Sequence, residues 1–236
     1  MGLSALLLGL FALVGTGIVA LIFAGTEDRI AEAERNFMLR SLHSVIPQEL
    51  HDNDIFTDMI TVTHPQLLGT DDDVPVFRAR KAGVPVALAI TPVAPEGYVG
   101  PIKLIVAISI DGTVLGVRVL SHRETPGLGD GIEEKRTDWV YGFNGHSLKD
   151  PESKGWRVRR DGGTFDQFTG ATITPRTIVT AVHNALKFYE LKKDMLFQQA
   201  SISTTASLAT ESSAAMPSTT APMDTTPKNQ RVSTKK

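Results

Sequence analysis

The sequence predicts an α+β fold, a mostly antiparallel sheet with flanking helices, preceded by a single N-terminal transmembrane helix. Three observations predict it. Residues 1–26 carry no charged side chain, and Leu3 to Ala24 is almost wholly apolar, long enough for a helix to cross a bilayer. Two runs rich in β-branched residues, Lys103 to Ile110 and Thr113 to Leu120, meet at Asp111-Gly112, a strong hairpin signal in which both turn positions favour positive φ. After Thr174, the residues Ile178, Ala181, Val182, Ala185, Leu186 and Tyr189 recur with a helical period.

Taken in order, residues 1–26 form the anchor. A cleaved signal peptide is the other reading, but it wants a basic leading region and an Ala-x-Ala site, and neither is evident. Residues 27–47 follow as a juxtamembrane helix. Ile30, Ala33, Phe37, Leu42 and Val45 keep a helical spacing up to Pro47, which ends it. This stretch either continues the anchor into the domain or lies on the bilayer surface; its polar face is as acidic as basic, which argues against the surface.

Residues 48–199 make the domain. Positions 48 to 75 are polar and include Asp71-Asp72-Asp73, read as a solvated turn because nothing nearby has ligand-loop spacing. Strands are predicted at Val76–Arg80 and Val84–Thr91, then the hairpin, with a short strand at Trp156–Arg159 and helices packed to one side. Residues 200–236 are rich in Ser, Thr, Ala and Pro and are expected to be disordered.

Composition narrows the chemistry. A net charge of -2 over 236 residues gives no argument for nucleic acid. With no cysteine there is no disulfide, no thiolate metal site, no cysteine-held iron–sulfur cluster, no cysteine nucleophile and no lipoprotein anchor. Nucleophile-elbow, Walker, zinc-helix and dinucleotide fingerprints are missing too. No catalytic residue and no metal ligand is therefore expected.

Two stretches stand out. In Asp161 to Arg176, Thr169-Gly170-Ala171-Thr172 is followed by Thr174 before Pro175. Thr174 reads as a helix N-cap and Pro175 as the first helical residue. A helix start offers unpaired N–H groups and a positive dipole end to a phosphate, and small residues let a ligand come close. The second stretch is Glu124-Thr125-Pro126-Gly127-Leu128-Gly129, where Pro-Gly suits a type II turn.

Asp166, then Thr-Gly-Ala-Thr at 169–172 and Thr174, resembles the flavinylation motif of the FMN-binding domain family. Its members include the G subunit of the Rnf electron-transport complex and the C subunit of the sodium-pumping NADH:quinone reductase. The wording of 161–176 is closest to the Rnf branch. The resemblance implies that a flavin transferase takes FMN from FAD and joins it covalently to Thr174 as a phosphoester. It implies further that Thr169, Gly170, Ala171 and Thr172 border the phosphate or ribityl chain, and that Glu124, Thr125, Gly127, Leu128 and Gly129 border the ring. Arg176 is read either as a phosphate partner or as a surface arginine. His122 and His183 are read as structural.

The function so implied is a covalent-FMN electron carrier, a redox subunit of a membrane-bound Rnf complex that couples ferredoxin:NAD electron transfer to ion translocation. The alternatives are the quinone-reductase subunit and a membrane-tethered flavin-binding sensory domain. Partners implied are the other Rnf subunits and the flavin transferase. The resemblance puts the anchor in the bacterial inner membrane with the flavin domain in the periplasm. Arg29, Arg35 and Arg40 follow the span while nothing basic precedes it but the terminal amine, so the positive-inside count favours the opposite orientation.

Overall fold

The structure, a computed structural model, describes residues 2–198; the expectation for 200–236 lies outside them. Helix α1 (Gly2–Val45) is unbroken. Its first part is apolar all round and bare, with Leu3, Phe11 and Leu21 each more than 70 % exposed. Its most apolar 18-residue window has a mean hydropathy of 2.6, so the helix is long and apolar enough to cross a membrane. The last turns carry a single buried stripe, Leu42 and Val45, continued by Ile46. The helix stops just before Pro47, whose ring disfavours helical geometry at Ile46. Arg118 donates from Nη2 to the Ser44 carbonyl at 3.1 Å, pairing one of the helix's last acceptors and setting a cation at its negative end.

Six strands follow: β1 (Met59–Val62), β2 (Val74–Lys81), β3 (Val84–Ile90), β4 (Val93–Ala94), β5 (Ile102–Ser109) and β6 (Val114–Ser121). Every pairing among them is antiparallel. The sheet runs β1-β2-β3-β5-β6, and the short β4 continues the β3 side of β5. A four-residue helix α2 (Pro65–Leu68) links β1 to β2, and α3 (Ile173–Gln198) closes the domain.

Strand β5 shows how the core is divided. Ile102, Leu104, Val106 and Ile108 face α3 and join Ile178, Val182, Leu186 and Phe188 in one cluster. The alternate residues Ile105 and Ala107 face the other way, with Leu42, Val45, Ile46, Phe77 and Ala89. Burial on both faces explains why β5 is apolar at nearly every position. The expectation of helices on one side is thereby corrected: the end of α1 covers the second face. Gly116 of β6 makes that approach possible, since a Cβ there would stand 3.1 Å from the Val45 Cα.

Three other local expectations change. The hairpin turn has positive φ at Gly112 alone, at 90°, and its N–H donates to the Ser109 carbonyl at 2.9 Å. Asp111 keeps an ordinary φ, and its side chain accepts from the Thr113 N–H at 2.9 Å. Trp156–Arg159 is no strand: Val158 makes one isolated bridge to Phe165, and Arg159–Asp161 is a 3-10 turn. Aromatic packing orders that segment, with Trp156 on Phe165 at 5.1 Å and on His183 at 5.2 Å. The polar stretch 48–75 yields β1, an edge strand whose only buried residue is Val62. In the acidic run, Asp73 accepts from the Thr63 hydroxyl at 2.7 Å and Asp72 closes a turn with Thr70.

His183 lies on α3, buried and stacked on Trp156, and burial lowers its pKa to about 4. It is packing, not an acid–base group.

Two outcomes are expected. Gly116→Val drives a side chain into α1 and should cost about 1–3 kcal/mol of domain stability, read by denaturant unfolding of the full chain in detergent. A folded-state pKa of about 4 against an ordinary 6.5 means folding disfavours the charged imidazole. The stability tied to neutral His183 is then complete above about pH 6.5 and lost as pH falls toward about 4. His183→Phe, which keeps the stack, should flatten the stability–pH curve across that window. An unchanged slope would assign the acid sensitivity to other groups.

Candidate functional site

The two stretches singled out in the sequence meet at the start of α3. The chain enters through a tight turn in which the Ala171 N–H donates to the Phe168 carbonyl at 3.2 Å and Gly170 takes φ 83°. The helix then begins at Ile173, one residue before Thr174. The Thr172 carbonyl accepts its first bond, from Arg176 N–H at 3.3 Å, so the N-cap is Thr172 and not Thr174. Pro175 sits at the third helical position, where an N–H has no partner inside the helix in any case. Thr174 is thereby turned inward and is 0 % exposed.

Opposite it stands the turn after β6. The Leu128 N–H donates to the Thr125 carbonyl at 3.1 Å with Gly127 at φ 80°, the geometry Pro126-Gly127 called for. The Gly127 N–H also reaches Asp130 Oδ1 at 2.8 Å, which ties the turn down.

Between the two lies a buried pair. The Thr174 hydroxyl donates to Glu124 Oε2, and Glu124 is itself buried. The other carboxylate oxygen accepts from the Val99 N–H at 3.1 Å. Glu124 N–H donates to His122 Nδ1 at 3.0 Å, and His122 Nε2 meets Glu133 at 2.7 Å. His122 thus positions Glu124. A Cβ on Gly129 would fall 2.9 Å from Glu124 Oε2 and 3.2 Å from Thr174 Oγ1, so only glycine lets the turn close over the pair.

A cleft of about 150 Å³ opens at this point, lined by Tyr98, Glu124, Thr125, Leu128, Gly129, Gly170, Ala171, Thr172, Ile173 and Thr174. Eight of the ten residues named from sequence are in that lining; Gly127 and Thr169 are not. Glu124, placed beside a ring by resemblance, touches the Thr174 hydroxyl itself. Tyr98 and Ile173 were missed as site residues. Both are exposed apolar side chains, and an unburied aromatic in the Gly97–Gly100 turn was the available signal.

Two residues fall elsewhere. Arg176 pairs with Asp161 at 2.6 and 3.0 Å, which holds that carboxyl below its usual range, and Arg176 does not line the cleft. Asp166 is an exposed partner of Arg159, and its backbone carbonyl accepts from Trp139 Nε1 at 2.8 Å. A larger cavity, about 560 Å³, lies between α1 and β6 and is lined by charges of both signs, among them Arg40, Arg118, Glu133 and Lys135.

Comparison with known proteins places these features. Residues 97–187 match the FMN-binding domain family, and residues 1–45 match the RnfG N-terminal region. The G subunit of the ion-translocating oxidoreductase complex of Pseudomonas aeruginosa is 49 % identical over 193 residues, 82 % of this chain and 90 % of that protein. The protein of the same name from Shewanella loihica is 47 % identical over 196 residues, 83 % and 92 % of the two chains. A crystal structure of Shewanella oneidensis NqrC superposes with a TM-score of 0.44 at 22 % identity, over 63 % of this chain and 72 % of that one. A match of this extent to the relatives from Pseudomonas and Shewanella spans both the apolar helix and the domain that holds the Glu124–Thr174 cleft, and it makes the chain a member of the RnfG family, the G subunits of ion-translocating oxidoreductase complexes.

Proposed function

We propose that this chain is the covalent-FMN electron carrier of an Rnf-type complex, with FMN joined through its phosphate to Thr174. One observation carries the reading: Thr174 is an inward-turned hydroxyl in the first turn of a long helix, at the foot of a cleft whose lining includes Gly129, Gly170 and Ala171. The residues present fit the group. Gly170 and Ala171 give that side of the cleft a small-residue lining, while Thr172 and the first N–H groups of α3 offer hydrogen bonds to phosphate oxygens.

The cleft is smaller than the roughly 300 Å³ at which pockets begin to enclose a drug-sized ligand. It suits the phosphate and the near end of the ribityl chain. Three of its lining residues form an apolar rim, with Tyr98 68 %, Leu128 51 % and Ile173 45 % exposed, a surface suited to one face of a flat ring. Bound FMN supplies reversible electron uptake at its ring. The protein holds its phosphate end, shields part of the ring and leaves the rest within reach of a partner.

The other Rnf subunits are the partners proposed, with a flavin transferase for maturation. The inner membrane is the location proposed, with the domain in the periplasm.

Two measurements test this. The intact mass of the chain made with a flavin transferase should rise by one FMN less one water, and Thr174→Ala should abolish the gain. A well-folded protein with no gain would return Thr174 to a purely structural role. For orientation, the native chain holds no cysteine, so Ser153→Cys at an exposed site gives a single thiol. A membrane-impermeant maleimide should label it once the outer membrane is opened and the inner membrane is intact. Labelling only after inner-membrane lysis would reverse the orientation.

A further inference from the structure

We propose that Glu124 is the general base for its own chain's flavinylation, taking the proton from Thr174 as the hydroxyl attacks. The inference rests on the reading of Thr174 as the FMN acceptor. It adds that the acceptor protein, and not the transferase alone, carries part of the catalytic machinery.

The geometry is that of an activated nucleophile: a hydroxyl bonded to a base, and the base held in turn by further groups. Thr174 Oγ1 donates to Glu124 Oε2. The carboxylate is fixed through its second oxygen by the Val99 N–H and through its backbone by His122, which Glu133 holds. A structural tie between turn and helix would need only a neutral acceptor. A buried carboxylate costs more than that, and here it receives two hydrogen bonds, one of them from the hydroxyl that reacts. The first turn of α3 places its positive dipole end at the same spot, favouring the carboxylate before the step and the phosphate after it.

The step balances with a flavin dinucleotide as co-reactant. Thr174 Oγ1 forms a bond to the phosphorus on the FMN side, the phosphoanhydride bond breaks, and AMP leaves with the bonding pair. The hydroxyl proton passes to Glu124. The product then has a neutral carboxylic acid beside a phosphodiester, which removes the repulsion of two adjacent anions and leaves an O–H able to donate to a phosphate oxygen. Thr174 is fully covered, and Gly129 lies over the hydroxyl, so the Thr125–Gly129 turn has to swing aside first. Glu124 precedes that turn and is anchored independently of it, so the base stays on the hydroxyl while the turn opens.

The test is the rate of flavinylation of purified full-length chain in detergent by a flavin transferase with FAD, followed by in-gel flavin fluorescence and intact mass. Glu124→Gln, which keeps the shape and an acceptor, should lower kcat by about 100-fold or more with little change in KM. The wild-type rate should rise with pH through a carboxylate ionisation, and that rise should vanish in Glu124→Gln. Glu124→Asp should recover part of the rate, and circular dichroism with thermal melts should show both variants folded. Equal wild-type and Glu124→Gln rates, or a loss seen only in KM, would overturn the proposal and leave Thr174 as acceptor. A misfolded Glu124→Gln together with a pH-independent wild-type rate would overturn it as well. No flavinylation of the wild type would overturn the acceptor assignment and the proposal with it.

Discussion

Because β5 is covered by α3 on one face and by the end of α1 on the other, the domain cannot finish its core without the helix that carries the apolar anchor. Leu42, Val45 and Ile46 are buried almost completely, and burial of such side chains is worth about 1.5–3 kcal/mol each. Arg118 and Gly116, both on β6, fit that helix end by hydrogen bond and by shape. The anchor and the site thus belong to one packed body. A flexible linker would let the site wander over a wide radius. From Thr26 to Val45 the helix instead runs unbroken, a rise of roughly 30 Å at helical pitch, and holds the domain at a set distance from the apolar segment.

The same sheet sets the position of the site. Strand β6 ends at Ser121 and delivers His122 and Glu124 to its edge, while α3 starts against the β5 face with Ile178 and Val182 already in the core. Neither stretch is built to reach the other on its own. Each is placed by apolar packing that extends well away from the cleft, which is how a rigid scaffold fixes polar groups closely enough for chemistry. The carboxylate–hydroxyl pair is then a consequence of where strand and helix end.

Much of this was legible in the sequence, for identifiable reasons. The hairpin strands were readable because β-branched runs bounded by Asp111-Gly112 leave little choice, and α3 because its apolar period is strong. The turn at Pro126-Gly127 followed from the chemistry of those two residues. Other features depended on distance in space. No local pattern says that Leu42 and Ala107 belong to one cluster, so the second covered face was not readable. Edge strand β1 buries too little to leave an alternating signature. The helix start was misplaced by two positions because Thr-Pro reads as cap and first turn, whereas the tight turn at Thr169-Gly170 lets Ile173 enter the helix earlier. Which residues stand near Thr174 was supplied by resemblance, but the contact of Glu124 with the hydroxyl could come only from the fold.

That contact bears on why a carboxylate occupies a buried position at all. Glu124 is held by a backbone N–H and a threonine hydroxyl, and among the described residues no cation hydrogen-bonds to it. Buried charge held by neutral donors is a poor source of stability, and an apolar side chain of similar volume commonly serves a core as well or better. The stability of the fold comes from the two apolar clusters on either side of β5, so Glu124 is not needed for that purpose. What the position does provide is a proton acceptor bonded to an oxygen that, among the residues lining the cleft, has no other acidic or basic neighbour. A group whose burial is unfavourable and whose one distinctive property is proton affinity is best explained by a step in which a proton moves.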